Sequence, residues 1–261
     1  MLSLSTNSEF NSPFWLSITI AAIWVLLILF IAWVVKRFTK ADSEVIRKIV
    51  HIGTGNVIIL AWWLNIPAFI GISASVIAGV ITLLSYRLPI LPGINSVGRK
   101  SLGTFFYAVS IGVFVAWFWY LHKPQYAALG ILIMAWGDGF AAIIGKGFGT
   151  HKYEFLGTYK SWEGSLTMAV ISYIISFLVL LISEGNIGQV GLISFITAIV
   201  ATALEAFSIL GIDNLTVPIG SAALAFGMNQ VISNPPEYFL YLWSLVRSEE
   251  RRVGKECRSR W

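Results

Sequence analysis

Long apolar segments separated by short polar ones dominate the chain. A helix that crosses a membrane needs about 20 mostly apolar residues, and eight segments of the sequence reach or approach that length. We place the predicted spans approximately at residues 13–35, 49–64, 66–86, 101–121, 125–145, 164–182, 187–210 and 215–232. A ninth apolar stretch, 236–246, has only 11 residues. The pattern predicts an all-α, polytopic integral membrane helix bundle of about eight transmembrane helices.

The composition agrees with this prediction. Hydrophobic residues make up 57% of the chain and charged residues only 12%, whereas soluble domains carry about 25% charged residues. One bundle accounts for all the apolar segments, so we expect a single transmembrane domain over residues 1–246. Three small residues spaced by four in the third span, Gly71, Ser75 and Gly79, predict a close contact with another helix.

The last segment, residues 247–261, has no apolar periodicity and is rich in charge. Its first residues can be encoded by the start of a common sequencing-adapter oligonucleotide, so we interpret it as an artefact that is not native protein. A native basic tail at the membrane surface is the alternative. Without its six Lys/Arg and three Asp/Glu, the rest of the chain has 12 basic and 10 acidic residues and a net charge of +2. No nucleic-acid partner is therefore expected.

Basic residues are distributed unevenly among the polar segments. No Lys or Arg precedes the first span, whereas five lie between residues 36 and 48, just after it. Because cytoplasmic loops carry an excess of Lys and Arg, we expect the N-terminus outside and this loop inside. Counting the spans onward places Lys146, Lys152 and Lys160 on the cytoplasmic side of a plasma or thylakoid membrane.

Two carboxylates inside predicted spans are notable, because intramembrane charges are costly and usually functional. Asp138 lies in the fifth span, about 10 Å from its cytoplasmic end at 1.5 Å per residue, and Glu205 lies in the seventh, close to the same face. Asp213 and Asn214 follow in the next segment. The topology predicts that these carboxylates converge at the cytoplasmic boundary. A structural ion pair within the bundle is the alternative for both Asp138 and Glu205.

The segment after Asp138 is rich in glycine and lysine. Glycines let backbone N–H groups approach phosphate oxygens, lysines add positive charge, and the free N–H groups of a helix start favour anions. A Walker A motif is absent, and a glycine- and lysine-rich loop without a catalytic role is the alternative. The candidate phosphate-binding residues of this segment are Gly145, Lys146, Gly149, Lys160, Ser161, Gly164 and Ser165.

Carboxylates beside lysines at a membrane face suggest a Mg²⁺-bound nucleoside triphosphate that acts on a lipid held in the bundle. Magnesium takes oxygen ligands and bridges phosphates, and phosphoryl transfer is catalysed mostly by positioning and by neutralising charge. The residues themselves do not distinguish CTP from ATP.

Four motifs in a fixed order make this prediction specific. They are D-x-x-A-x-x-x-G-K at Asp138–Lys146, K-S-W-E-G-S at Lys160–Ser165, the single Glu205, and D-N-x-x-x-P at Asp213–Pro218. In this order they resemble the phytol kinase and dolichol kinase family of CTP-dependent membrane polyprenol kinases. The resemblance covers about residues 47–225.

The resemblance implies transfer of the γ-phosphoryl group of CTP to a long-chain isoprenoid alcohol, with phytol favoured, giving phytyl monophosphate. It implies Asp138, Glu163 and Lys160 as catalytic residues and Asp138, Glu205 and Asp213 as Mg²⁺ ligands. Asn214 and Arg47 join the nucleotide- and phosphate-binding candidates. Two segments that also resemble the family, RKIVH and RKSLGTFFY, add the further candidates His51, Arg99 and Lys100. A membrane anchor for Arg47 and an interhelical hydrogen bond for His51 are the structural alternatives.

Two other functions stay open on the sequence. The block from Asp138 to Gly164 is shared with phosphatidate cytidylyltransferases, although the ending at Asp213–Pro218 favours the kinases. An ion-coupled transporter with Asp138 and Glu205 as ion ligands is disfavoured, because no internal repeat is evident and the charged motifs lie on one side. The alcohol's chain length and the oligomeric state are not determined by the sequence.

Overall fold

The computed structural model describes residues 14–86, 102–155, 157–208 and 211–234, which are helical apart from one hairpin and short connections. The hairpin consists of β1 (Lys152–Phe155) and β2 (Thr158–Ser161). A π-helical segment, Ile133–Asp138, joins α6 and α7. The helices are α1 (Phe14–Phe38), α2 (Ser43–Gly55), α3 (Val57–Trp63), α4 (Ala68–Ser85), α5 (Gly103–Tyr120), α6 (Pro124–Leu132), α7 (Gly139–Phe148), α8 (Trp162–Glu184), α9 (Ile187–Ala206) and α10 (Asp213–Ser233).

Eight helical stretches among the described residues are long and apolar enough to cross a membrane, which confirms the predicted membrane helix bundle. Two of them are composite, since α2 and α3 form the second, and α6, the π-helical segment and α7 form the fifth. Helix α1 is apolar on nearly all sides and exposes large side chains, as a lipid-facing span does. The predictions that lie outside the described residues concern the stretches 236–246 and 247–261 and the candidates Arg99 and Lys100.

The fifth span forms the centre of the bundle, with α5, α8 and α10 packed around it. Its residues Ala127–Ile131 are buried. Small side chains allow this close packing, because a Cβ atom added at Gly130 would lie 2.7 Å from the carbonyl oxygen of Pro218 in α10. The rings of Phe118 and Tyr126, both buried, pack with centroids 5.9 Å apart. The helix that carries Asp138 is therefore held on several sides by the core.

The small residues of the third span pack against the fourth, as the spacing of four predicts. A Cβ atom added at Gly71 would lie 3.0 Å from Val115 of α5, and one added at Gly79 would lie 3.7 Å from Phe105. Ser75 fills the space that a side chain at Gly112 would need. The predicted close helix contact is confirmed, and its partner is α5.

A β-hairpin occupies part of the segment that we predicted to be a glycine- and lysine-rich loop. Strands β1 and β2 pair antiparallel, with Lys152 opposite Ser161 and Phe155 opposite Thr158. Aromatic residues favour strands, and Gly157 supplies the positive φ of 76° that the tight connection needs. Strand β2 leads directly into α8, where the Ser161 hydroxyl caps the helix by accepting a hydrogen bond from the Gly164 N–H at 3.2 Å. The hairpin thus fixes the start of α8.

Candidate active site

One cavity of about 1190 Å³ opens at the end of the bundle where the spans carrying the predicted residues come together. It is lined by α2, α7, the hairpin, the start of α8, and the segment between α9 and α10. Lys48 and Asp42, which we did not predict, also line it. The predicted residues that the structure brings together in this cavity are Arg47, Asp138, Gly145, Lys146, Gly149, Lys160, Ser161, Gly164, Ser165, Glu205, Asp213 and Asn214.

Asp138 ends the π-helical segment and forms an ion pair with Lys48 of α2. The Lys48 ammonium lies 2.5 Å from Asp138 Oδ2, and the two side chains are only 4% and 13% exposed. The π-helical geometry rotates Asp138 relative to a regular helix, and such segments are frequent at functional sites. Trp136 of the same segment donates a hydrogen bond of 2.8 Å to Asn56, which lies at the junction of α2 and α3. The irregular parts of the second and fifth spans therefore fix one another.

His51 lies next to Asp138 but does not itself line the cavity. Its Nε2 atom is 3.6 Å from Asp138 Oδ2 and has no hydrogen-bond partner among the described residues, although it is buried. The ring packs against Tyr107 with centroids 4.4 Å apart, and the Tyr107 hydroxyl donates to the His51 carbonyl at 2.8 Å. The structure therefore places His51 as a neighbour of Asp138 rather than as a group that reaches the cavity.

The two lysines predicted to bind phosphate are each paired with a carboxylate. The Lys160 ammonium lies 2.7 Å from Glu205 Oε1 and also donates to the Glu205 backbone carbonyl, and both side chains are largely buried. The Lys146 ammonium pairs with Asp42, and both of these side chains are exposed. The hydrogen bond from Lys146 lowers the pKa of Asp42 to about 2. An anionic ligand would have to compete with these carboxylates for both lysines.

Arg47 lines the cavity and pairs with Glu44, one turn earlier in α2, with 2.5 Å between Arg47 Nη2 and Glu44 Oε1. The pair lies partly buried at the end of the second span. Arg47 could therefore reach a bound phosphate only by leaving Glu44.

Asp213 and Asn214 begin α10 and provide oxygen atoms that lack cationic partners. Among the described residues Asp213 forms no ion pair, and Asn214 Oδ1 is buried without a hydrogen-bond partner. The negative charge of Asp138 and the positive charges of Lys48 and Lys160 all act on Asp213. No group of three or more His, Cys, Asp and Glu side chains in the described part of the chain is arranged to hold a metal by itself. Since Mg²⁺ is commonly held by one or two carboxylates together with substrate phosphates, the Asp213–Asn214 pair fits it.

Three glycines of the cavity wall allow close packing of α7 against the start of α8. A Cβ atom added at Gly164 would lie 3.0 Å from the Ala141 carbonyl oxygen, and one added at Gly145 would lie 3.0 Å from Ser161 Oγ. At Gly149 it would overlap the Gly145 carbonyl oxygen. These glycines let the end of α7 approach the start of α8. Their role in cradling phosphate stays a prediction. The N–H of Gly164 donates to the Ser161 hydroxyl at 3.2 Å, so an anion would have to compete with Ser161 for it.

Glu163 does not line the cavity, in contrast to our expectation of a catalytic carboxylate. Its Oε1 atom accepts hydrogen bonds from the backbone N–H and the hydroxyl of Thr150, at 3.2 and 2.7 Å. The His151 backbone N–H donates to the same atom at 3.2 Å. This carboxylate therefore fastens the connection between α7 and β1 to the start of α8.

Several known proteins are similar to this chain in sequence. The chain is 46% identical to the phytol kinase of Synechocystis sp. over 225 residues, which cover 86% of this chain and 97% of that protein. The chain belongs to the phytol kinase family. It is also 29% identical over 209 residues to the chloroplastic farnesol kinase of Arabidopsis thaliana, covering 71% of this chain and 66% of that protein. Phytol kinase 1 of the same plant, also chloroplastic, is 28% identical over 212 residues, covering 69% and 66%. No protein-family model and no solved structure matches the chain.

Sequence reasoning missed Lys48. We interpreted it as one of several positive-inside residues after the first span, because neighbouring basic residues share that explanation. The signal that could have found it is its place three residues before His51, which puts both on one face of a helix. A lysine on the same helical face as a buried polar residue, inside an apolar span, is a candidate partner for an intramembrane carboxylate.

Proposed function

We propose that the protein transfers the γ-phosphoryl group of a nucleoside triphosphate, CTP by resemblance, to the hydroxyl of a long-chain isoprenoid alcohol. Phytol is the first candidate substrate and phytyl monophosphate the corresponding product. The proposal is supported by membership of a family whose named members phosphorylate phytol or farnesol. The observation that carries it is one cavity in which an intramembrane carboxylate, Asp138, lies together with lysines and with Asp213, which forms no ion pair among the described residues.

In this proposal some residues contact the alcohol, which accepts the phosphoryl group, and others contact the nucleotide, which donates it. Asp138, inside the fifth span, meets the hydroxyl of an alcohol whose hydrocarbon tail stays among apolar helices. Lys146 and Lys160 bind the donor phosphates after exchanging their carboxylate partners for phosphate oxygens. Asp213 and Asn214 would hold Mg²⁺, which when bound neutralises phosphate charge and helps to orient the donor.

The reaction is balanced without any further reactant. The alcohol oxygen forms a bond to the γ-phosphorus while the bond from that phosphorus to the bridging oxygen breaks. The nucleoside diphosphate leaves with that electron pair, and the hydroxyl proton passes to Asp138. Positioning of the two substrates supplies most of the rate acceleration in such transfers.

We further propose that the cavity opens to the cytoplasmic side and that the N-terminus lies outside. Five basic residues line the cavity, and all belong to segments that the positive-inside rule assigns to the cytoplasm: Arg47, Lys48, Lys146, Lys152 and Lys160. A water-soluble nucleotide would then enter from the cytosol, and the alcohol would enter from the bilayer between helices.

A substrate panel tests the proposal. Purified protein in lipid vesicles is incubated with Mg²⁺, one of CTP, ATP or UTP, and one of phytol, geranylgeraniol, farnesol or dolichol. We expect formation of alkyl monophosphate and nucleoside diphosphate in equal amounts, with CTP and phytol among the best pairs. Pyrophosphate and a CDP-lipid formed from phosphatidate would indicate a cytidylyltransferase instead, and absence of turnover with every pair would refute the kinase proposal.

A further inference from the structure

Lys48 is a buried ammonium group within a membrane span, and Asp138 is its hydrogen-bond partner. The residue as a whole is 3% exposed. A lysine carries three N–H donors, but the structure gives its ammonium one acceptor among the described residues, Asp138 Oδ2 at 2.5 Å. Taking such a charge out of water is costly, and the attraction to its partner commonly does no more than offset that cost. The pair is thus poorly explained by stability alone, which points to a functional reason.

The contacts of Asp138 are asymmetric. Both the Lys48 ammonium and the His51 ring nitrogen approach the same oxygen, Oδ2, at 2.5 and 3.6 Å. The other oxygen, Oδ1, accepts no hydrogen bond from the described residues. It is also not a buried atom. Asp138 lines the cavity. One oxygen of the carboxylate is therefore occupied by α2, and the other is available on the cavity side.

Helix α2 is itself fixed where it presents Lys48. The Tyr107 hydroxyl of α5 donates to the His51 carbonyl, and Asn56 at the end of α2 accepts a hydrogen bond from Trp136 in the segment that carries Asp138. A Cβ atom added at Gly55 would lie 2.5 Å from the Cβ atom of Ala135, so the two spans are in direct contact. Lys48 and Asp138 are thus held by two rigid helices in contact, which limits the freedom of the carboxylate.

We propose that Lys48 is the positioning residue of the phosphoryl transfer, holding Asp138 Oδ2 so that Oδ1 faces the cavity to receive the proton of the alcohol. The inference rests on the proposed function, because it requires that Asp138 meets a substrate hydroxyl. Lys48 acts through Asp138 in this arrangement, and its removal leaves the donor-binding lysines in place. The expected kinetic effect therefore falls on kcat and not on the KM of the donor.

A double-mutant cycle tests the inference. The variants are Lys48→Met, Asp138→Asn and the combination of both, each assayed for kcat and donor KM per folded molecule. Misplacement of a reacting group costs on the order of 100-fold in rate, so Lys48→Met should lower kcat about that much and leave donor KM within about twofold. Because Lys48 acts through Asp138, adding Lys48→Met to Asp138→Asn should cause no further loss of kcat.

The test still works if the single variants are less stable than the parent. Each single change leaves an uncompensated buried partner and is expected to lower stability, but the double variant removes both charges and should fold about as well as the parent. Lys48→Arg restores a cation and should recover part of kcat, though with altered geometry. Lys40→Met is the matched control, since Lys40 is exposed at the same end of the bundle and does not line the cavity.

The outcomes separate the two proposals. A parent protein that turns over no alcohol with any nucleotide refutes the proposed function. If the parent is active and Lys48→Met keeps half or more of the parent's kcat, the positioning role is refuted. It is also refuted if the kcat of the double variant is at least about tenfold below that of Asp138→Asn, because independent effects add. A kcat loss that is absent from the Lys40→Met control and does not add in the double variant supports it.

Discussion

Gly147 and Gly149, at the end of α7 and just after it, should respond to the same substitution in opposite ways. Gly149 follows α7, and a Cβ atom there would overlap the Gly145 carbonyl oxygen and lie 2.6 Å from Ser161 Oγ. Gly147, within α7, has no atom within 4 Å of its added Cβ position. Substituting each glycine by alanine therefore tests whether close packing, and not glycine's presence as such, shapes this part of the site.

The magnitude follows from these contacts. Overpacking costs about 1–3 kcal/mol, and displacing Ser161 weakens the cap of α8, worth about 1 kcal/mol. We expect Gly149→Ala to lower the free energy of unfolding by about 2–4 kcal/mol. Gly147→Ala replaces a glycine within a helix by a better helix former and should be neutral or stabilise by up to about 1 kcal/mol.

The assay is thermal unfolding of both purified variants in the same detergent, followed by measurement of donor KM. Because Ser161 and Gly149 line the cavity, a shift of this wall by Gly149→Ala should raise the donor KM about tenfold, equivalent to a loss of about 1.4 kcal/mol in binding. Gly147→Ala should leave it unchanged. Equal stability and equal KM in the two variants would refute the packing account of these glycines.

Three further predictions concern the surface of the site, its sidedness and the end of the chain. Asp42→Asn still accepts the hydrogen bond from the Glu44 N–H that caps α2, but it removes the ion pair with Lys146. Lys146 is then free for the donor phosphates, so the donor KM should fall. The fall should be less than about fivefold, because exposed ion pairs are weak. The pKa of Asp42 is lowered to about 2. The pair is therefore fully present above the ordinary value of 3.8 and is lost only as the pH falls towards about 2, so the KM difference should be constant from about pH 6 to about pH 8. A higher KM in Asp42→Asn, or a difference that changes over this range, would contradict the competition between Asp42 and phosphate. Cysteines placed at Lys152 and Asn186 should react with impermeant reagents from opposite faces of sealed vesicles, and labelling from one face would overturn the topology. Deleting 247–261 should leave membrane insertion and activity intact, whereas loss of folding would show that the segment is native.

The helices of this protein were predictable because length and hydropathy determine them. A span must satisfy its backbone internally and match the bilayer thickness, so all eight apolar segments correspond to helical stretches in the structure. The convergence of Asp138, Glu205 and Asp213 was also predictable, since alternating spans place every second connection on the same side. The structure brings all three into one cavity.

The pairing within the site was not predictable from spacing. Lys48 and Asp138 are separated by 90 positions, and Asp138 lies at the end of a π-helical segment whose irregular geometry the sequence pattern does not reveal. Glu163 belongs to the same sequence motif as Lys160, yet its carboxylate accepts hydrogen bonds from Thr150 and does not line the cavity. Linear motifs identify which segments form a site but not the direction in which each side chain points.

The strand pairing of the hairpin was missed for a similar reason. Each strand has only four residues, too few for an alternating pattern to be distinguished from a polar loop. Lysine and glycine suggested a phosphate loop, whereas β1 and β2 pair as a hairpin that leads directly into α8. The roles of Lys146 and Lys160 towards a donor stay predictions.

The most direct test of the central claim is the fate of the α- and γ-phosphorus atoms of CTP. Purified protein in vesicles containing phytol is supplied with Mg²⁺ and CTP labelled in either the α- or the γ-phosphate, and the lipid product is extracted and counted. Phosphoryl transfer predicts that label from the γ position enters the lipid fraction as an alkyl monophosphate, whereas label from the α position stays in water as CDP. Asp138→Asn should lower this transfer at least about 100-fold, which is the lower end of the effect for positioned acid–base groups. Label entering the lipid from the α position, or γ-label transferred at a normal rate by a folded Asp138→Asn protein, would contradict the account.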